Sequence, residues 1–197
     1  MADQYHHGDL QQALLQAAVE LVAEHGVHGL SVREAARRVG VSHAAPYRHY
    51  ADKNAILVAI AEQGFEWLSA AGEAAMAGIE DPRLRLNAYG VAYVCFACAH
   101  PVHFRVMFTE ELTGYEATAK HGSRAFQLLI EAAVKVVGPT HDPELSALSS
   151  WTWPHGLAML ILSRRVRPEL VDTPAKVEAL ARRAIAQLDG VLPSDQL

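Results

Sequence analysis

The stretch from Leu30 to Lys53, LSVREAARRVGVSHAAPYRHYADK, decides how this chain is read. Ser31 opens the tetrapeptide SVRE, in which the serine hydroxyl can accept from the backbone three residues on while Glu34 reaches back, a capping box. Val32, Ala35, Ala36 and Val39 then recur at helical spacing, and Gly40 can take the left-handed conformation that stops a helix. Ser42 follows as the cap of a third helix, with Pro46 in its first turn, where a missing N–H costs one terminal bond rather than an interior one. On that helix Val41, Pro46 and Tyr50 point inward, and His43, Ala44, Tyr47 and Arg48 point outward. Upstream, Leu10, Leu14, Ala17, Ala18 and Leu21 predict a longer first helix that Asp9 caps and Gly26 ends. Two short helices about a glycine turn, completed by a longer one, form a helix-turn-helix, whose second helix fits the major groove of DNA.

Composition bounds this reading. The chain has 197 residues, 51% of them hydrophobic and 20% charged, which is ordinary for a globular protein with a proper core. No apolar run reaches the 18 residues of a membrane span and no signal-peptide pattern opens the chain, so the expectation is a cytoplasmic protein. The two cysteines, Cys95 and Cys98, are too close together for a disulfide framework. A net charge of −5 means that any DNA-binding surface must be a local patch. Arg33, Arg37, Arg38, Arg48 and Lys53 supply one, with only Glu34 and Asp52 as acids among them.

The segment GVSHAAPYRHYADKNAIL is similar to the signature of the tetracycline-repressor (TetR) family of transcription regulators, in which a glycine-valine-serine turn leads to a tyrosine, a histidine, an aromatic and a lysine at fixed spacing. The likeness covers residues 9–60. It implies a homodimer of all-helical subunits, each with an N-terminal domain that reads DNA and a C-terminal domain that dimerises and binds a small effector. On that model Tyr47, His49 and Lys53 hold phosphates and His43, Ala44 and Arg48 lie near base edges, with Ser31, Arg33 and Ser42 completing the DNA-facing set. This chain departs from the pattern at Ala45, where the family often has a hydroxyl residue, and at Pro46, where leucine is common.

The remainder reads as helix, giving an all-α protein with a DNA-binding domain over 1–54 and a dimerisation and effector domain over 55–197. Asp52 can cap a fourth helix running to about Gly78, and Asp81 with Pro82 opens the next. Pro101 breaks it. Further helices are expected over about 115–137, 143–166 and 174–189. The last two carry Val177, Leu180, Ala181, Ala184 and Leu188 as a stripe, and Ser149, Gly156 and Ala158 as small residues, which together predict a two-fold four-helix interface. WTWPHG resembles the Trp-His-Gly type of TetR C-terminal domain through Trp151, His155 and Gly156.

Large apolar side chains from several C-terminal helices, Phe96, Phe104, Met107, Phe108, Phe126, Trp151 and Met159, suggest a cavity for an apolar small molecule that Tyr93 and His155 would orient. Cys95 and Cys98 with His100 and His103 form C-x-x-C and H-x-x-H, the basis of an alternative metal- or thiol-responsive regulator. A short cysteine pair inside an alanine- and aromatic-rich helix fits apolar packing better, so neither a metal nor a cofactor is expected. No H-E-x-x-H, G-x-S-x-G or phosphate-cradling glycine loop is present, which argues against an enzyme. The reading is therefore a ligand-responsive repressor that binds palindromic operator DNA as a homodimer.

Overall fold

The computed structural model describes the backbone of residues 7–114 and 116–191, and the side chains of all of these except 7–9, 116–123 and 188–191. Every regular element among the described residues is helical: α1 (His7–His25), α2 (Val32–Val39), α3 (Lys53–Met76), α4 (Pro82–Ala99), α5 (Pro101–Met107), α6 (Glu116–Val137), α7 (Pro143–Leu162) and α8 (Pro174–Val191), with 3-10 turns at Pro46–Arg48, Glu110–Leu112 and Pro168–Leu170.

Local sequence grammar explains most of the boundaries. The Ser31 hydroxyl accepts from Glu34 N at α2, and Asp52, Asp81 and Asp142 carboxylates accept from Ala55, Leu84 and Leu145 N at the starts of α3, α4 and α7. Gly40 closes α2 at φ 78°, a backbone state that only glycine adopts without strain. The start of α1 differs from expectation. The helix already includes His7, so Asp9 lies inside it, and the Asp9 side chain falls outside the described residues.

The third helix also differs, and Pro46 is the reason. With no N–H at 46, the Ser42 carbonyl cannot be met four residues on; it accepts instead from Ala45 N at 3.0 Å. The chain continues with Arg48 N to Ala45 O at 3.2 Å and His49 N to Pro46 O at 2.9 Å, so a turn over 43–45 and a single 3-10 turn stand where an α-helix was expected.

The chain packs as two compact units. The first takes residues 1–64 and 102–120, and its core holds Leu14, Leu21, Ile56, Leu57 and Ile60 together with Phe104 and Val106, each 1% exposed or less. Here α3 and α5 approach closely: a Cβ added at Gly64 would lie 2.6 Å from Met107 Sδ. The His103 ring, also buried, meets Gln63 Oε1 at 2.9 Å. The first unit thus reaches past residue 54 and recruits a later stretch of chain.

The second unit takes residues 65–101 and 121–197, with α4 packed on both α7 and α8. Val91 and Val94 of α4 share a core with Val177, Ala181 and Ile185 of α8. Val177 and Ala181 are therefore committed to packing within the subunit, which corrects the expectation that they face a second copy. Leu180 is half-buried, and the Leu188 side chain lies outside the described residues. Apolar side chains face outward along α7, where Leu145, Leu148, Trp153, Met159 and Leu160 are 48% to 61% exposed on the side opposite the buried Ala147, Pro154 and Ala158.

Candidate nucleic-acid interface and C-terminal cluster

In the first unit, the packing that buries one side of residues 31–53 leaves the other side to solvent. Pro46 and Tyr50 are buried, and the Tyr50 hydroxyl donates to Gln11 O of α1 at 3.3 Å, which fixes the 46–48 turn against the long helix. Ser31, Arg33, Ser42, His43, Ala44, Tyr47 and Arg48 are exposed, with Tyr47 at 52%; His49 and Lys53 are half-buried. Tyr47 is thus exposed on a turn whose other side, Pro46 and Tyr50, is buried.

The cations of this patch are not equivalent. Arg37 forms a two-pronged pair with Glu34 at 2.7 and 2.9 Å, and Arg38 bonds both carboxylate oxygens of Glu24 at 2.8 and 2.5 Å. Hydrogen bonds from these arginines hold both carboxyls below their usual range. Arg33 and Arg48 have no ion-pair partner among the described residues. Lys53 Nζ donates to the His28 carbonyl at 3.0 Å, tying the start of α3 to the loop before α2. The free positive charge is thus narrower than the sequence suggests and centres on Arg33, Arg48 and Lys53.

In the second unit, the Tyr93 hydroxyl and His155 Nδ1 lie 2.8 Å apart, and Trp151 packs edge-on against the His155 ring at 5.1 Å and against Phe126 at 6.4 Å. Burial pushes the Tyr93 phenol up and the His155 imidazole down, so at neutral pH the pair is uncharged. The nine residues expected to line one cavity divide between the units. Tyr93, Phe96, Phe126, Trp151, His155 and Met159 are in the second, Phe104, Met107 and Phe108 in the first. Met159 lies on the exposed face of α7 rather than in the aromatic cluster.

The His155 shift has a pH consequence. Burial keeps the folded-state imidazole neutral, while the unfolded chain protonates near the ordinary value of about 6.5. As pH falls through that value the unfolded state gains the proton first, so stability drops on acidification and gains nothing above neutral pH. Thermal unfolding between about pH 7.5 and about pH 5.5 should show this fall, and His155→Gln should flatten it. An unchanged slope in the variant would exclude His155 as its source.

Two family models match the chain: "Bacterial regulatory proteins, tetR family" over residues 14–60, and "Tetracyclin repressor-like, C-terminal domain" over residues 86–188. The chain belongs to the TetR family. A protein of unknown function from Rhodococcus sp. RHA1 is 31% identical, with 94% of this chain and 98% of that one covered and a TM-score of 0.73. A regulatory protein in the tetR family from Rhodococcus RHA1 is 25% identical over 89% of this chain and 96% of its own, with a TM-score of 0.67. The tetracycline repressor protein class A from transposon 1721 of Escherichia coli is 45% identical over 49 residues, 25% of this chain and only 23% of the repressor's length.

As a TetR-family member the protein is a DNA-binding transcription regulator with a helix-turn-helix. No helix among the described residues is long and apolar enough to cross a membrane. The metal- or thiol-sensing alternative finds no support. Burial raises the Cys95 thiol and pushes Cys98 up to about 11, which favours the protonated thiol over the thiolate that binds metal or reacts. The His103 ring meets Gln63, and His100 packs between Trp67 and Phe96 at 4.9 and 5.2 Å. No group of three metal-ligating side chains occurs among the described residues. Three features of this TetR-family chain escaped the sequence: the Glu24 carboxylate that pairs with Arg38, the recruitment of residues 102–120, and the bare apolar face of α7. Only the last left a signal, apolar residues at 145, 148, 153 and 160 at helical spacing.

Proposed function

We propose that this regulator is a repressor that binds palindromic operator DNA as a homodimer through the 31–53 face, and that an apolar small molecule in the second unit releases it. It works as a binding protein rather than an enzyme, in the cytoplasm where its DNA lies. One observation carries the DNA part: Arg33, Tyr47 and Arg48 stand exposed on a surface whose reverse side is locked by Pro46, Tyr50 and α1. On this reading Ser31, Arg33, Ser42, Tyr47, His49 and Lys53 meet phosphates, and His43, Ala44 and Arg48 meet base edges. Sequencing of genomic fragments retained by the pure protein tests it. A common palindromic motif is expected, and retention without any sequence preference would sink the operator reading.

The homodimer reading rests on α7. Its five exposed large hydrophobics run from Leu145 to Leu160, about 22 Å of helix, and Ser149 and Gly156 on the same face allow close approach. The effector reading rests on the neutral Tyr93–His155 pair with Trp151 and Phe126 beside it, a setting that suits an aromatic or aliphatic molecule with one polar group. Such a molecule weakens DNA binding only by as much as it prefers the non-binding state. Because Trp151 touches His155, binding there should change tryptophan emission, and Trp151→Phe should remove most of that change while leaving DNA affinity near normal. A ligand that releases DNA with an undiminished emission change in Trp151→Phe would place the effector elsewhere.

A further inference from the structure

We propose that Glu111 competes with DNA phosphate for the Lys53 ammonium at the corner where Lys53 meets His28, so that the position of the 110–112 turn sets operator affinity. The inference rests on reading residues 31–53 as the DNA-facing surface. Three segments of the first unit meet at this corner: the loop before α2, the first residue of α3, and the 3-10 turn after α5. Lys53 Nζ donates to His28 O at 3.0 Å, and His28 Nδ1 lies 2.9 Å from Glu111 Oε1. That last contact lacks hydrogen-bond alignment: Oε1 is shielded from water yet has no hydrogen-bond donor among the described residues. The other oxygen, Oε2, accepts from the Thr109 hydroxyl, which orients the carboxylate and favours its ionised form.

The chemistry of a phosphate site follows from these positions. A lysine ammonium has three N–H groups; the His28 carbonyl takes one here. The His28 side chain is 91% exposed and stands three residues before the Ser31 cap, on the approach to α2. An anion arriving at this corner meets a carboxylate that already neutralises part of its positive charge, and like charge repels it further. An under-bonded Oε1 beside a lysine is a ready alternative partner for that ammonium. Glu111 sits on a turn of three residues joined to α5, so any shift of that segment against α1 and α3 changes the distance and hence the competition.

The test is titration of operator DNA across a salt series with wild type, Glu111→Gln, Glu110→Gln, Lys53→Met and the Glu111→Gln, Lys53→Met double variant. Glu111→Gln should bind about three- to tenfold tighter at low salt, with the advantage shrinking as salt rises. Its log-log salt slope should steepen by up to about 0.9 per subunit, the value of one regained phosphate contact. Glu110→Gln removes the same charge from an exposed neighbour and should change affinity far less. In the Lys53→Met background the gain from Glu111→Gln should largely vanish. Weaker or unchanged binding by Glu111→Gln would overturn the proposal, as would an equal gain from Glu110→Gln, which would mean diffuse net charge. Absence of sequence-specific binding by the wild type would instead overturn the operator reading.

Discussion

Leu148→Glu combined with Trp153→Glu is expected to turn the protein into a folded monomer that binds operator about 100-fold or more weakly, because each half-site must then be held without its tethered neighbour. Both side chains are more than half exposed in the single subunit, so two charges there leave the subunit's own core intact. In a dimer sealed by this face, the same charges would be buried without partners and oppose each other across the two-fold axis. Sedimentation would report the assembly state, circular dichroism the fold, and anisotropy with labelled operator the affinity. A dimer of unchanged stability and DNA affinity would remove α7 from the interface. Val177→Glu is the contrasting change. It places a charge against Val91 and Val94 inside the subunit and should unfold the second unit rather than dissociate an assembly.

The second large effect belongs to the DNA face. Arg48→Ala should cost about 1–3 kcal/mol per subunit and relax base preference at one position of each half-site, the outcome for an arginine that reads a guanine edge. Arg33→Ala should weaken all sequences alike and lower the salt slope by about 0.9 per subunit. Arg37→Ala and Arg38→Ala should do much less to that slope, since Glu34 and Glu24 already hold those guanidinium groups. Affinities measured over a salt series on cognate and scrambled DNA would separate the classes. Equal slopes for Arg33→Ala and Arg37→Ala would show that the ion pairs do not decide which cations meet phosphate.

What the sequence disclosed and what it withheld divide along a physical line. Caps and stops are local: Ser31 with Glu34, Gly40, Asp52 and the Asp81–Pro82 pair act within four residues of themselves, and each was legible without a fold. The inward Pro46 and Tyr50 and outward Tyr47 were legible too, because side-chain direction follows from spacing. Periodicity, however, says that a helix face is apolar without saying what covers it. Val177 and Ala181 read as an interface stripe and are covered by α4 instead, while the stripe of α7 is left bare. The Pro46 turn failed for another reason. One missing N–H so near a cap redirected the Ser42 carbonyl to Ala45 and changed the winding of the whole short element. Residue type alone groups Tyr93 with His155, and what the sequence withheld is their direct 2.8 Å contact across 62 positions, which no local rule encodes.

The close approach of α3 and α5 at Gly64 and Met107 bears on how such a protein can be inherited in parts. Because Phe104, Val106 and Met107 pack with residues that precede position 65, the DNA-reading head is not an N-terminal cassette that recombination can exchange by a single crossover. A graft of residues 1–64 from a relative with any larger side chain at position 64 would drive it into the Met107 thioether, and a cut after α3 would strip the head of its Phe104 anchor. Positions 64 and 107 should therefore change together across descendants of this chain, and new operator specificity should arise by substitution on the exposed turn at 43–48 rather than by exchange of heads.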